Sequence, residues 1–342
     1  MKITQERALT AGQNFVVDAF RPEDAPGVAN LFLAVYGPSY PFDLYYYPEK
    51  IVEACQKRDL YLVVCRTAVG DIIACGAIYR SAPPNWNLFE FGLYMVAANY
   101  RTTKAAFRMT KYMSGELITT SGLDGLFGEA VTNHTASQKV SWLMGAKETA
   151  IELSLTPESM YTKELSASRR VTCVMSFRID HDQPQTLYLP PVYADILPPI
   201  IARTGLVRSL QPAATISNAA GESQLDSIII PDTGVLRVNV AAIGADFGER
   251  LAAAETEADG WQPAVRQWFL KLTDPAIGDA VAQLRNRGYF LGGYLPHWFG
   301  DDGLLMQKLH EAPDFEAIQI YSDEAISLLE TAKADYRQVC GK

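Results

Sequence analysis

Little in this sequence would tie it together covalently. Five cysteines (Cys55, Cys65, Cys75, Cys173 and Cys340) are spread over 342 residues, and none makes a CxxC pair. This argues against a disulfide framework and against a zinc finger. Cys65 and Cys75 lie in apolar, strand-like runs, where a thiol acts as a small hydrophobe. Positive charge is also scarce. Thirty Lys and Arg face 39 Asp and Glu, for a net charge of −9, and no basic run is longer than Arg169-Arg170. Such a chain repels a phosphate backbone, so nucleic acid is not an expected partner. No apolar stretch approaches the ~18 residues of a membrane span. The opening residues MKITQERALTAGQNF lack the apolar core and cleavage site of a secretory signal. Asp301-Asp302 alone is not metal-ligand spacing, and no metal is expected. Low-complexity segments and short-period repeats are missing as well. The expectation is a soluble, reduced, cytoplasmic protein.

What is present reads as a globular α/β chain. Hydrophobic residues make up 48% and charged residues 20%, and the length suits two domains. The first half alternates strand and helix signals: a strand at 15–20, then Arg21-Pro22-Glu23-Asp24 as a helix start with acidic residues in its first turn. Val28, Leu31, Phe32 and Val35 have helical spacing, and Gly37-Pro38 stops the run. In the aromatic stretch 39–49, Tyr45-Tyr46-Tyr47 either line a pocket or pack under a sheet. A short helix at 48–57 precedes strands at 60–66, 72–79 and 88–96. A helix at 102–121, a strand at 126–131, a helix at 135–144 closed by Gly145, and strands at 148–155 and 171–179 follow. The polar run 180–185 marks a boundary, which gives domains of 1–182 and 183–342. The second half offers a helix at 194–204, strands at 223–230 and 235–243, a helix at 246–258, a strand at 265–272, a helix from Asp274 to Arg287, and last strands at 288–293 and 304–309. LFGEAV, its link, a helix and Gly145 are echoed by VRQWFLKL, its link, a helix and Gly288. This suggests a duplicated α/β unit.

The block from Phe15 to about Ile179 resembles the GNAT family of acyl-CoA-dependent N-acyltransferases. FRPEDAPGVANLF is similar to that family's opening strand and helix. EFGLYMV followed by Asn99-Tyr100-Arg101 is similar to the strand leading into the cofactor loop, and NHTASQKVSWLMGA to the helix that often ends in Leu-Gly-Phe. The resemblance covers about half the chain. Val265 to Leu309 resembles the last strands and helix of the same fold. The implied fold is therefore mixed α/β: tandem GNAT-like domains, each a twisted mixed sheet flanked by helices, the second divergent.

The resemblance implies acetyl-CoA, or another acyl-CoA, as co-substrate and an amine on a small molecule or protein as acceptor. In the family, a loop with small residues lets backbone amides meet the CoA diphosphate at a helix N-terminus. The matching residues here are Arg101-Thr102-Thr103-Lys104-Ala105-Ala106. Lys104 replaces a glycine. With the Thr102 and Thr103 hydroxyls it either binds phosphate by side chain or lies on a solvated helix face. The strand Leu93-Tyr94-Met95-Val96 is implied to donate a backbone N–H to the thioester carbonyl. Asn133 and Ser137 are implied contacts of the cofactor arm, and Asn133 is equally suited to cap a helix.

Direct attack needs a base for the amine and is helped by an acid for the thiolate. Glu90, on the strand before the loop, is the implied base, and its apolar neighbours favour a raised pKa; it reads equally as an edge carboxylate exposed on the strand's polar face. Glu129 is a second carboxylate beside the implied cleft. The family's usual acid, a Tyr four residues before the helix-ending Gly, is Ser141 here, which leaves Tyr94 or an unassisted thiolate. His134 reads as a solvated residue near a helix start. The run YLPHWFGDD at 294–302 reads as an acceptor pocket or as an aromatic-anchored loop. Asp246 reads as a helix cap that repels phosphate, so the second half is expected to lack a cofactor site. The leading expectation is an N-acyltransferase, monomeric or homodimeric. The alternatives are a non-catalytic CoA-binding or regulatory protein, for which Lys104 and Ser141 speak, and an interaction scaffold.

Overall fold

The structure, a computed structural model, describes residues 1–38, 40, 42–161, 167–214 and 221–341. Within the aromatic stretch 39–49, Ser39 and Pro41 lie outside the described residues. The first half runs β1 (Phe15–Ala19), α1 (Ala25–Tyr36), α2 (Pro48–Gln56), β2 (Leu60–Thr67), β3 (Ile72–Tyr79), β4 (Leu88–Val96), α3 (Ala105–Tyr112), α4 (Ile118–Ser121), β5 (Gly125–Val131), α5 (Ala136–Leu143), β6 (Lys147–Thr156) and β7 (Val171–Ile179). A π-turn over Met113–Leu117 joins α3 to α4. The helix expected at 102–121 is therefore continuous but starts three residues later. Gly145, at φ 79°, follows α5 in the left-handed region a side chain would resist.

The second half contains β8 (Gln185–Leu189), α6 (Leu197–Arg203), β9 (Arg208–Pro212), β10 (Gln224–Ile230), β11 (Val235–Ala242), α7 (Phe247–Asp259), β12 (Val265–Lys271), α8 (Ile277–Arg285), β13 (Phe290–Leu295), β14 (Gly303–Leu309) and α9 (Asp323–Cys340). The sequence reading had no place for β8, β9 or α9. β8 and β9 form a small parallel sheet. α9 starts where the Ser322 hydroxyl accepts the Ala325 N–H, and it buries Ala325, Leu328, Ala332 and Tyr336 along one stripe against β6 and β13.

Among the described residues, twelve strands make one sheet, ordered β1-β2-β3-β4-β5-β7-β6-β13-β14-β12-β11-β10. From β3 to β6 and, in reverse, from β10 to β13, the order repeats as mirror-listed halves. Each half contains one parallel pair, β4 with β5 and β11 with β12. Each places a helix, α5 or α8, after the second strand of that pair. The halves meet edge to edge at β6 and β13, which share one bridge, Gly293 to Ala150. A Cβ on Gly293 would overlap the β6 backbone. The buried Gln307 seals this seam: its side chain accepts from Leu153 N at 2.9 Å and donates to the Ile151 carbonyl at 2.8 Å.

The sheet curls strongly. β5 and β11 lie six strand spacings apart, about 29 Å if flat, yet side chains from the two strands touch. Trp298 packs edge-on to Phe127 and stacks on Phe269 at 4.6 Å within the resulting concave core. Another buried cluster joins Ile151, Leu153 and Val174 of the first half to Leu236, Val238 and Trp268 of the second.

Candidate active site

β4 and β5 pair only at their start, through Leu88–Gly125, Phe89–Leu126 and Glu90–Phe127, and then part. The parallel pair in the second half does not: β11 and β12 stay in register from Val235–Val265 to Val240–Leu270. The first-half pair thus forms a wedge. On its other side β4 slips register against β3 between Cys75 and Ala77, and Leu93 adopts φ 54°. A left-handed backbone at a non-glycine residue is strained by roughly 1–3 kcal/mol, and bulges of this kind re-aim a strand. Leu93, Tyr94, Met95 and Val96 follow along the open side of β4. At the apex the Phe91 ring lies against Gly128, where a Cβ would come within 2.5 Å of it.

Beyond β4 the chain turns at Ala98–Tyr100 and enters α3. Thr103 organises the turn: its hydroxyl donates to the Tyr100 carbonyl at 2.7 Å and accepts the Ala105 N–H at 3.2 Å. Lys104 occupies the position before the first helical residue. Arg101, Thr102, Thr103 and Lys104 are exposed, Ala105 is buried and Ala106 half-buried. The Arg101 Nε donates to the Val96 carbonyl at 3.4 Å. A cleft of about 430 Å³ lies beside the turn, between Gly12–Phe15 and Asn99, Tyr100, Thr102 and Thr103, with Arg108 on its wall.

The carboxylates lie on one face of the sheet. Glu90 is opposite Tyr79 of β3, whose hydroxyl donates to it. Burial, and next the charge of Glu129, raise the Glu90 pKa well above the carboxylate range. Glu129, two residues beyond Glu90's partner Phe127, accepts from Arg237 Nη2 of β11 at 2.8 Å. The same nitrogen lies 3.3 Å from Glu152 of β6, and Arg237 Nε donates to Gln267 of β12 at 2.9 Å. Gln267 donates in turn to Glu152 at 2.7 Å. The second oxygen of Glu152 is buried with no hydrogen-bond partner. Burial first, and the Glu129 charge second, raise its pKa too. Sequence reasoning found Glu90 and Glu129 but missed Tyr79, Glu152, Arg237 and Gln267. The available signal was an arginine at an alternate position of the apolar run VLRVNV.

Tyr94 is on the other face, with α3. Its hydroxyl lies 3.1 Å from Met113 Sδ and 3.7 Å from Met144 Sδ, and burial pushes its pKa up. Tyr94 and Glu90 are therefore separated by the sheet. Ser141 is buried, and its hydroxyl donates back to the Ser137 carbonyl. The Ser137 hydroxyl donates to the Val131 carbonyl at 3.3 Å. Asn133 is in the link from β5 to α5, where its carbonyl accepts from Gln319, while Thr135 holds the cap position considered for Asn133. His134 Nδ1 accepts the Ala136 N–H.

The 294–302 segment closes on itself. Asp302, fully buried, binds Arg208 at 2.5 Å, the Tyr294 hydroxyl and the His297 N–H. His297 Nε2 lies 2.8 Å from Asp182. These groups bind one another and form an anchored loop. Asp246 does not cap α7 with its side chain. It accepts instead from Ser223 N and Arg250. Among the described residues no helix is long and apolar enough to cross a membrane, and no cluster of His, Cys, Asp and Glu is arranged to hold a metal ion.

No family model and no curated protein sequence matches this chain. Solved structures do. A ribosomal-protein-S5-alanine acetyltransferase from Vibrio fischeri is 14% identical, with a TM-score of 0.39, over 51% of this chain and 97% of its own. An N-acetyltransferase from Staphylococcus aureus Mu50 is 14% identical, with a TM-score of 0.38, over 48% and 98%. A GNAT superfamily phosphinothricin acetyltransferase from Sinorhizobium meliloti, in complex with AcCoA, is 9% identical, with a TM-score of 0.39, over 48% and 88%. Over about half its length, this chain is similar in structure to these acetyltransferases.

Proposed function

We propose that the chain is an acyl-CoA-dependent N-acyltransferase that works by direct attack, with residues 1–182 as the acyltransferase domain and 183–342 as a divergent unit of the same kind. The observation that carries this is the wedge between β4 and β5, with a half-buried carboxylate, Glu90, at the point where the strands part. An opened parallel pair exposes backbone N–H groups along Leu93 to Val96 that have no strand partner on the wedge side. These suit a thioester carbonyl and an amide-rich pantetheine arm. The exposed turn from Arg101 to Lys104 leads into Ala105 and Ala106 of α3, whose N-terminus favours an anion such as a diphosphate. Asn133, in the link after β5, and Ser137, on α5, are assigned to the cofactor arm.

The amine enters from the Glu90 face. A carboxylate whose ionised form is disfavoured by burial is a stronger base than one in water. Glu90 takes the amine proton as nitrogen bonds to the acyl carbon. The carbon–sulfur bond then breaks, and the thiolate leaves as CoA, protonated from Tyr94 on the opposite face or by solvent. Glu129 is held by Arg237, so Glu90 is the better base of the two. The acyl donor is acetyl-CoA or another acyl-CoA, and the acceptor is an amine of a small molecule or a protein.

Calorimetry with acetyl-CoA, followed by an acetyl-transfer screen against amines, tests this. Glu90→Gln is expected to keep CoA affinity and to lose about 10²–10⁴ in rate at neutral pH. Much of that loss is recovered at high pH, where the amine is already neutral. Absence of acetyl-CoA binding at millimolar concentration overturns the proposal. The presence of Ser141 in place of a phenol supports a second reading, a CoA-binding protein without turnover. Binding with no transfer to any amine selects it.

A further inference from the structure

Three carboxylates of the first half, the half-buried Glu90 and Glu129 and the buried Glu152, lie on one face of the sheet, and among the described residues the guanidinium that meets two of them comes from the second half. Arg237 is nearly inaccessible and reaches Glu129, Glu152 and Gln267 at once. The fork geometry of arginine is what lets one side chain hold three partners on three strands. Crowding three carboxylates into a region partly shielded from water makes full ionisation of the group costly, so a cation placed beside them favours the loss of their protons.

We propose that Arg237, which binds Glu129 and Glu152 on the face that carries Glu90, is a positioning residue for the base of the first-half site: the second half sets, through this guanidinium, the pH at which Glu90 becomes ionised. This rests on the acyltransferase reading above. Tyr79 of β3 donates to Glu90, and Tyr40 and Tyr45 of the link between α1 and α2 lie within electrostatic reach of it. Cys173 of β7 lies by the Glu129–Glu152 end. All of these are acids that are neutral at ordinary pH, their own ionisation opposed by burial and by the glutamate charges. Among the described residues, Arg237 is the cation that meets these carboxylates, and its charge favours the ionised form of Glu90 as well as binding Glu129. A second half that had no function beyond packing would have no need of a buried arginine here, since an apolar side chain is often at least as stabilising in such a place.

The sign of the effect follows. A positive charge lowers the pKa of a neighbouring carboxylate, so removing Arg237 raises it. The acidic limb of the pH profile of kcat/KM, where the base becomes ionised, then moves to higher pH. With one acceptor used throughout, Arg237→Gln is expected to shift that limb upward by about one pH unit or more. Arg237→Lys keeps the charge but loses the fork, and its limb lies between those of the two. The double variant Glu129→Gln with Arg237→Gln removes the cation together with the negative charge beside Glu90, and its limb moves back toward that of the parent. This double variant leaves no unpaired guanidinium or Glu129 carboxylate, and with Arg237→Lys it carries the test if Arg237→Gln alone does not fold. A carbon NMR titration of glutamate side chains in the full chain, without substrate, is expected to show the same order of shifts.

A uniform loss of rate with an unmoved limb, and unmoved glutamate titrations, would show that Arg237 acts only in packing and would overturn the assignment. A parent protein that binds no acyl-CoA or transfers no acyl group overturns the acyltransferase reading and this role with it, so the two failures are told apart by the parent alone.

Discussion

At the scale of single residues, Lys104 is where this chain departs most from the loop it resembles. It precedes the first turn of α3 and its side chain is exposed. A glycine there would let a phosphate come close to the backbone, whereas a lysine adds a mobile charge in front of it. Lys104→Ala is expected to weaken CoA binding about threefold to tenfold at low salt and to leave acetyl-pantetheine, which has no diphosphate, unaffected. Calorimetry with both ligands checks this, and equal CoA affinity for mutant and parent would make Lys104 an ordinary surface residue. Glu90 was legible from sequence because a carboxylate inside LFEFG stands out against its neighbours. Its partners were not. Tyr79 is eleven residues away and is brought opposite by an antiparallel register, and Arg237 is 108 residues from Glu129. No local pattern encodes a contact that depends on how far a sheet curls.

At the scale of elements, the two parallel strand pairs are the informative comparison. β4 and β5 open after three residue pairs, while β11 and β12 remain joined along six. A pantetheine arm that needs unpaired backbone finds it in the first pair only. One acetyl-CoA per chain is therefore the expected stoichiometry in titration calorimetry, and a second equivalent of comparable affinity would contradict it. The order of strands and helices in the first half was readable because apolar periodicity is punctuated by breaks such as Gly37-Pro38, Gly70-Asp71, Pro83-Pro84 and Gly145. The bulge was not, because it turns on Leu93, whose sequence gives no hint of a positive φ. β8 and β9 were missed because each is five residues long and bounded by proline. α9 left a clear trace, Ser322 before two acids and an apolar stripe ending at Gly341, but it lies beyond the last element that the acyltransferase resemblance supplied.

At the scale of the whole molecule, the halves are joined less by backbone than by side chains. One bridge links β6 to β13, while the apolar clusters of the concave core draw residues from both halves. Neither half buries those residues alone. The full chain is accordingly expected to unfold in a single transition, with tryptophan fluorescence and far-UV circular dichroism coinciding along a urea titration. Two separated transitions would show that each half is stable by itself. The same seam has a consequence on the ribosome. β6 is complete roughly 130 residues before β13 has been made, and chains emerge at about 5–20 residues per second. For on the order of ten seconds, the nascent first half presents an unpaired strand edge and an uncovered apolar face, the two features by which one growing chain captures another. The partner that ends this exposure is the second half of the same polypeptide, so crowded synthesis is a condition under which this protein is expected to draw on a chaperone.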